Sequence, residues 1–336
     1  MAKPLKTNYT REIKLIKSAV EKLNIDLIGQ TVLTEVGSNN YILSPIIPLL
    51  AGAEKVFAWT RDSRFGMSAD IISECISIAK SLGLENRLHF SSNVKDTNQV
   101  AEADIITNSG FLRPLNENLL KYAKSTAVLP LMFEKWEMRA SDIDINYCNE
   151  KGIKVAGTWE NHPDIKVFSG SGPLGIKLLM EAGLEVYQNN ILVWSDDHFG
   201  EETTKALKGF GASHVINSIN IEDFYSNLSD LDAIYICDYD EHRKYFGEVS
   251  IFDIDKIKEV NPSLKVVHLY GNIDATLLSE QGIDLYPNKD GYAEVMTETL
   301  AYLGPKLLIN LQAAGYKVAQ TMLEGKDHDL AQPVNY

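Results

Sequence analysis

ILVWSDDHFGEETTKALKGFGA, residues 191–212, decides the fold. An apolar run ends at Trp194, a short polar turn follows, and a helix is predicted over 202–211. Such a strand–turn–helix unit opens a nucleotide-binding βαβ when its turn reads Gly-x-Gly-x-x-Gly. Ser195, Asp197 and Gly200 stand in that frame. The three glycines serve a tight turn, backbone approach to pyrophosphate and close helix packing. Gly200 can serve the third, but an ionised Asp197 repels pyrophosphate. Asp196, Asp197, Glu201 and Glu202 therefore read as acids that cap the helix and complement its dipole. The expectation is a turn kept for folding, without phosphate binding in this unit.

The same alternation runs along the rest of the chain. After a helix and its lead-in over 8–28, strands are predicted at 31–37, 55–62, 87–92, 103–110, 125–134 and 153–160, with helices at 44–53, 68–83, 115–124 and 142–152 between them. A long helix, 163–186, is expected to bend at SGSGPLG (169–175) and to bridge two domains. Further strands follow at 190–196, 213–218, 231–239, 264–271 and 283–287, with helices at 252–261 and 275–282. The chain closes with a helix over 291–323 that Pro305 should kink or split in two. Apolar strands without strict alternation, separated by helices, mean parallel sheets buried on both faces. The fold class is thus α/β: two Rossmann-like doubly wound parallel-sheet domains, 1–162 and 163–290, and a C-terminal helix segment, 291–336, packing across them.

Composition narrows the function. The chain has 336 residues, 45% hydrophobic and 23% charged, enough for two cores. A formal net charge of −14 repels phosphate backbones, so nucleic acid is not an expected partner. No apolar stretch approaches the ~20 residues of a membrane span. MAKPLKTNYT lacks the apolar core of a signal peptide, and a cytoplasmic location is expected. Cys75, Cys148 and Cys237 lie far apart, make no metal-spaced cluster and read as buried hydrophobes. No metal is expected.

Ligands of open parallel sheets bind beyond the carboxyl ends of the strands. In the first half those positions hold Glu35, Gly37, Ser38, Asn39 and Asn40; Arg61, Asp62, Ser63 and Arg64; Asn108, Ser109, Gly110 and Arg113; Glu134, Trp136, Glu137 and Arg139; and Thr158, Glu160 and His162. Turn chemistry explains many of these singly; carboxylates and arginines on one edge favour a site. Gly37 followed by an acid, Asp62, is the dinucleotide fingerprint in short form, with the acid on ribose hydroxyls. EVGSNN (35–40) also resembles the first motif of class I S-adenosylmethionine methyltransferases, with Asn39 for the second glycine. Glu35, Gly37, Asn39, Asp62 and Asn108 are the candidate cofactor-binding residues. Glu134, Arg139 and His162 are candidates for catalysis, and Arg113, Trp136 and Glu160 for substrate contact. His268, inside KVVHLY, reads as a core histidine.

DIDINYCNEKGIKVAGT (142–158), a bridging helix and ALKGFGASHVI (206–216), in that order, resemble the D-isomer-specific 2-hydroxyacid dehydrogenases. The resemblance implies tandem Rossmann-like domains and hydride transfer with a nicotinamide. In YPNKDGY (286–292), Asn288 stands where that family's Pro-His motif would place histidine. The expected function is NAD(P)-dependent oxidation or reduction of a small molecule in an interdomain cleft. The alternatives are an S-adenosylmethionine-dependent enzyme and a non-catalytic small-molecule-binding module. The apolar C-terminal helix, if it packs outside the second domain, would offer a homodimer face.

Overall fold

The computed structural model describes residues 8–239, 243–246 and 249–335; the stretch MAKPLKT, read above for its lack of a leader, lies outside them. The chain divides into two compact units. One runs to Val167 and resumes at Gly304; the other is Phe168–Leu303.

The first unit contains strands β1 (Thr31–Glu35), β2 (Lys55–Thr60), β3 (Leu88–Ser92), β4 (Ile105–Ile106), β5 (Val128–Pro130) and β6 (Lys154–Thr158). The second contains β7 (Asn190–Trp194), β8 (His214–Asn217), β9 (Ala233–Ile236), β10 (Lys244–Phe246), β11 (Lys265–His268), β12 (Asn272–Ile273) and β13 (Leu285–Tyr286). The chain then returns to the first unit as β14 (Ala331–Pro333).

The first sheet has the order β14-β6-β5-β4-β1-β2-β3. All neighbours are parallel except β14, which pairs antiparallel with β6. Without that edge strand the order is 3-2-1-4-5-6, the doubly wound arrangement whose direction reverses between β1 and β4. Leu33, Phe57, Trp59, Ile106, Leu129 and Val155 line one core on this sheet. The main sheet of the second unit runs β8-β7-β9-β11-β13, all parallel, and reverses between β7 and β9. Within β7, Leu192 and Trp194 enter one core while Ile191 and Val193 enter the other. That period of two on a doubly buried strand is why its sequence shows an unbroken apolar run.

The two longest expected helices differ from expectation. In place of a helix over 163–186, Lys166 takes a left-handed φ of 47° and the helix is Ser171–Glu181. SGSGPLG does not bend it. Gly172 and Gly175 instead let it lie directly on the helix His198–Phe210: a Cβ on Gly172 would sit 2.5 Å from the Glu202 carbonyl oxygen. The closing helix starts at Pro305, in its first turn, and runs to Glu324. Proline cannot donate to a preceding turn but is preorganised to begin a helix, so it starts one here, and of the expected span only the part from Pro305 on is α-helical. Leu308, Ile309, Ala313, Tyr316, Val318 and Met322 of this helix are buried. It packs on the helix Thr10–Lys22 and on β5 and β6, inside the first unit. The face expected to serve a homodimer is therefore already covered.

Among the described residues, six helices are capped by an Asp or Asn side chain: Asp96, Asp144, Asp197, Asn220, Asp253 and Asp274. Part of the chain's acidity thus serves helix N-termini. Among the described residues no helix is long and apolar enough to cross a membrane. The three cysteines are free and buried, and burial pushes the thiols of Cys75 and Cys148 up to about 12.

Candidate functional site

The turn after β7 answers its sequence. Asp197 Oδ1 accepts the backbone N–H groups of Phe199 (2.8 Å) and Gly200 (3.3 Å), and Ser195 Oγ donates to the same oxygen at 2.7 Å. The carboxylate occupies the donors a pyrophosphate would take at this helix start. Burial nonetheless pushes its pKa up, against four hydrogen bonds that pull it down. Gly200 keeps the packing role: a Cβ there would lie 2.6 Å from Ser195 Cβ. Asp197→Ala is expected to lower the second unit's stability by about 1 kcal/mol, and Asp197→Asn by less because its amide oxygen still accepts. Urea unfolding of both variants checks this; equal losses would count against the cap.

At the first unit's switch point, Glu35 ends β1. Its Oε2 accepts the Phe111 N–H at 2.9 Å, and Gly110 passes so close that a Cβ would lie 3.1 Å from that oxygen. Burial raises the Glu35 pKa; the Phe111 N–H, Arg113 and Arg61 oppose this. The Arg61 guanidinium lies 5.2 Å from the Phe111 ring and the Lys95 ammonium 5.9 Å. Lys95 donates to the carbonyls of Leu112 and Arg113.

Asp62, two residues beyond β2, is exposed and caps the helix Ser68–Ser81 from a distance. Its Oδ1 accepts from Ser68 N (2.8 Å) and Ser68 Oγ (2.7 Å), and its Oδ2 from Asn93 Nδ2 (3.2 Å). The Ser68 N–H, first, and the Ser68 hydroxyl hold its pKa below the usual range. The turn after β1 differs from expectation. Gly37 N–H donates to the Tyr41 carbonyl at 3.3 Å, Asn39 takes a φ of 56°, and a 3-10 turn, Asn39–Leu43, precedes a helix of only Ile46–Leu50. Pro45 and Pro48 offer no N–H, so this turn is not the phosphate-facing helix start expected of it. Asn108 is buried, its Oδ1 accepting the Met132 N–H at 2.8 Å, and ties the ends of β4 and β5 together.

Beyond β5 and β6 three glutamates come together. Glu134 Oε1 accepts the Glu160 N–H (2.9 Å); its Oε2 accepts from Trp136 Nε1 and Gln332 Nε2, both at 3.1 Å. Glu137 Oε1 accepts the Glu134 N–H at 3.0 Å. Gly157 of β6 admits this turn: a Cβ would lie 2.5 Å from Lys135 N. Burial, then repulsion from Glu134, pushes Glu137 up to about 7, with the Glu134 N–H and Arg139 opposing. Burial, then Glu137 and Glu134, raises Glu160 well above the carboxylate range. Trp136 is 50% exposed.

Arg113 and Arg139 both grip Asp142 Oδ2, at 2.7 and 3.0 Å. These pairs hold Asp142 below its ordinary pKa despite the upward push of burial. His162 is buried; its Nδ1 accepts the Asp164 N–H (3.2 Å), which leaves Nε2 to meet Asp329 Oδ2 at 3.0 Å. It fastens the returning C-terminal segment to the loop after β6. His268 is in the core as expected, with Nε2 3.0 Å from the Pro287 carbonyl, and burial lowers it to about 4.

The structure thus brings Glu134, Trp136 and Glu160 together, with Glu137. It sets Glu35 beside Arg113, and joins Arg113 to Arg139 through Asp142. Sequence reasoning does not find Gln332, Asp142, Lys95 or Asp329. Each has a partner distant in sequence; Asp142 also pairs with Arg139 three residues away, and Asp329 closes the run KDHD.

No family model matches the sequence, and no curated relative does. Solved structures match its fold. A dipicolinate synthase component from Bacillus halodurans superposes with a TM-score of 0.52 at 13% identity, over 89% of this chain and 98% of that one. The pyruvate reductase of Chlamydomonas reinhardtii gives 0.52 at 11%, over 90% and 98%. A protein assigned as a D-3-phosphoglycerate dehydrogenase from Ralstonia solanacearum gives 0.51 at 11%, over 90% and 96%. The fold is D-2-hydroxyacid dehydrogenase-like. At these identities the likeness extends to fold alone.

Proposed function

We propose that the chain is a nucleotide-binding enzyme of the oxidoreductase kind, taking NAD(P) and a small molecule. The observation that carries this reading is the end of β2 in a 3-2-1-4-5-6 sheet, where exposed Asp62 lies between Arg61 and Arg64. An acid at that place accepts ribose hydroxyls, and arginines beside it pair a 2′-phosphate. Asp62 uses its oxygens on Ser68 and Asn93 but keeps lone pairs towards solvent. The second unit fits a dinucleotide poorly, because Asp197 already takes the N–H groups of its first turn.

Bound nicotinamide would supply hydride chemistry. The chain's own residues would supply charge and protons: Glu35 with Arg61 and Arg113 at the switch point, and Glu134, Glu137 and Glu160 beyond β5 and β6. Glu134, Arg139 and His162 remain the candidates for substrate binding and proton transfer, and Gly37, Asn39 and Asn108 for cofactor contact. Arg113, Trp136 and Glu160 remain the candidates for the substrate.

Thermal-shift titration with NAD, NADP, S-adenosylmethionine and S-adenosylhomocysteine tests this in wild type and Asp62→Asn. The amide oxygen keeps one acceptor for Ser68. A ligand at a hundred times its dissociation constant adds ~2.7 kcal/mol. The expected result is a nicotinamide shift in wild type that shrinks in the variant. A shift with S-adenosylmethionine alone would move the chain to a transferase reading. Silence from all four would favour a second reading, a small-molecule-binding module without a nucleotide, which the carboxylate-filled turn after β7 supports.

A further inference from the structure

We propose that Glu35 Oε1 and Ser109 Oγ, at the switch point of the first unit, hold the two hydroxyls of a ribose, the nicotinamide-side sugar of the dinucleotide. This rests on the NAD(P) reading, in which Asp62 takes the other ribose, and adds a place for the second.

A row of three hydroxyls fixes how Ser109 can bond. Thr107 Oγ1 donates to Thr34 Oγ1 at 3.0 Å, and both residues are buried. Ser109 Oγ lies 2.9 Å from Thr107 Oγ1. A hydroxyl has one proton, and that of Thr107 goes to Thr34, so Ser109 is the donor to Thr107. Ser109 Oγ is left with lone pairs alone, an acceptor on a half-buried residue. Glu35 is in a similar state. Its Oε2 accepts the Phe111 N–H, and its Oε1 accepts no hydrogen bond among the described residues.

Gly110 keeps the carboxylate open. It follows Ser109, is exposed, and a Cβ there would lie 3.1 Å from Glu35 Oε2 and 3.7 Å from Oε1. A side chain would fill that space; glycine leaves it to a ligand. The sheet reverses direction between β1, which ends in Glu35, and β4, which leads into Ser109. Ligands of open parallel sheets bind at that reversal.

Two neighbouring acceptors call for a ligand with two neighbouring donors. A cation has donors, but Arg61 already acts on Glu35, and Lys95 shares the Phe111 ring with Arg61. A further positive charge is repelled there. A vicinal diol brings two O–H donors and no charge.

The test is calorimetric titration of the full chain with ADP, ADP-ribose and NAD. ADP-ribose carries the second ribose, ADP ends before it, and neither contains nicotinamide. ADP-ribose should bind roughly tenfold more tightly than ADP, the size of a hydrogen bond to a charged acceptor. Ser109→Ala and Glu35→Gln should each remove most of that margin while ADP itself still binds. Ser109→Ala leaves Thr107 donating to Thr34, so the buried pair stays bonded and a folding defect is not the expected cause. Equal affinity for ADP and ADP-ribose in wild type, or a margin that both variants keep, would overturn the inference and leave the cofactor reading standing. Equal losses for the two ligands in both variants would also overturn it. No binding of ADP, ADP-ribose or NAD by wild type would fail the cofactor reading and this inference with it.

Discussion

Gly172→Ala should cost the second unit about 3 kcal/mol, at the upper end of what overpacking a tight contact does. The added methyl has nowhere to go. It would lie 2.5 Å from the Glu202 carbonyl oxygen, 2.8 Å from Ala206 Cβ and 3.1 Å from Glu202 C. Two of those three atoms are backbone, so no rotamer change relieves the clash; the helices Ser171–Glu181 and His198–Phe210 must separate. Separation thins the core that Leu174, Leu178, Phe199 and Leu207 share. Gly209, whose Cβ would meet nothing within 4 Å, is the control: Gly209→Ala in the partner helix should be neutral or stabilising. A Gly172→Ala protein as stable to urea as Gly209→Ala would mean the helices are not in contact as described.

Stability should fall as pH rises from about 5 to about 8, through the buried glutamates. Glu137 has an ordinary value of 4.5 and is pushed up to about 7 in the fold. Below the lower value it is protonated folded or unfolded, and its contribution is fully present. Between the two, only the folded chain holds the proton, so each step up in pH favours unfolding. Above the higher value the loss is complete, on the order of 3 kcal/mol for this displacement. Glu160, raised for the same reasons, and Glu35 add in the same direction. Asp142 acts oppositely: Arg113 and Arg139 lower it, so its stabilisation is present at neutral pH and lost in acid. Glu137→Gln should flatten the fall, with thermal unfolding across the range as the readout. A wild-type curve that is level from about 5 to about 8, or a variant with the same slope, would sink this account.

Much of the fold is legible in the sequence because buried parallel strands announce themselves as apolar runs. β7, buried on both faces, is the clearest: Asn190–Trp194 falls within the predicted 190–196. β4 is shorter than its pattern suggests, since ADIITNSG keeps only Ile105–Ile106 in the ladder. The turn residues after it bond through side chains, as Asn108 does to Met132. β14 escapes the pattern because AQP is short, polar and ends in proline, which an edge strand tolerates. The same blind spot hides Gln332. Helix periodicity misleads at Lys166 and Pro305, where single residues override the pattern.

The candidate site is less legible. The position of carboxylates beyond strand ends is readable; their mutual burial is not, since it depends on Gly157 admitting the turn at Lys135. The acid in the turn after β7 is readable as a cap because a helix N-terminus accepts a carboxylate as readily as a phosphate.

The return of β14 to β6 has a consequence for the order of events during synthesis. The first unit is split in sequence, and its second piece emerges only after all of Phe168–Leu303 has been made. At the usual pace of translation that interval is on the order of 10 s. During it, β6 presents a bare edge, and Glu134 lacks the Gln332 amide. The continuous second unit can finish folding in that time, whereas the first must wait for its edge strand and for one of the three donors to Glu134. Nascent chains stalled before residue 304 are therefore where exposed strand edges, and any need for a chaperone, should concentrate.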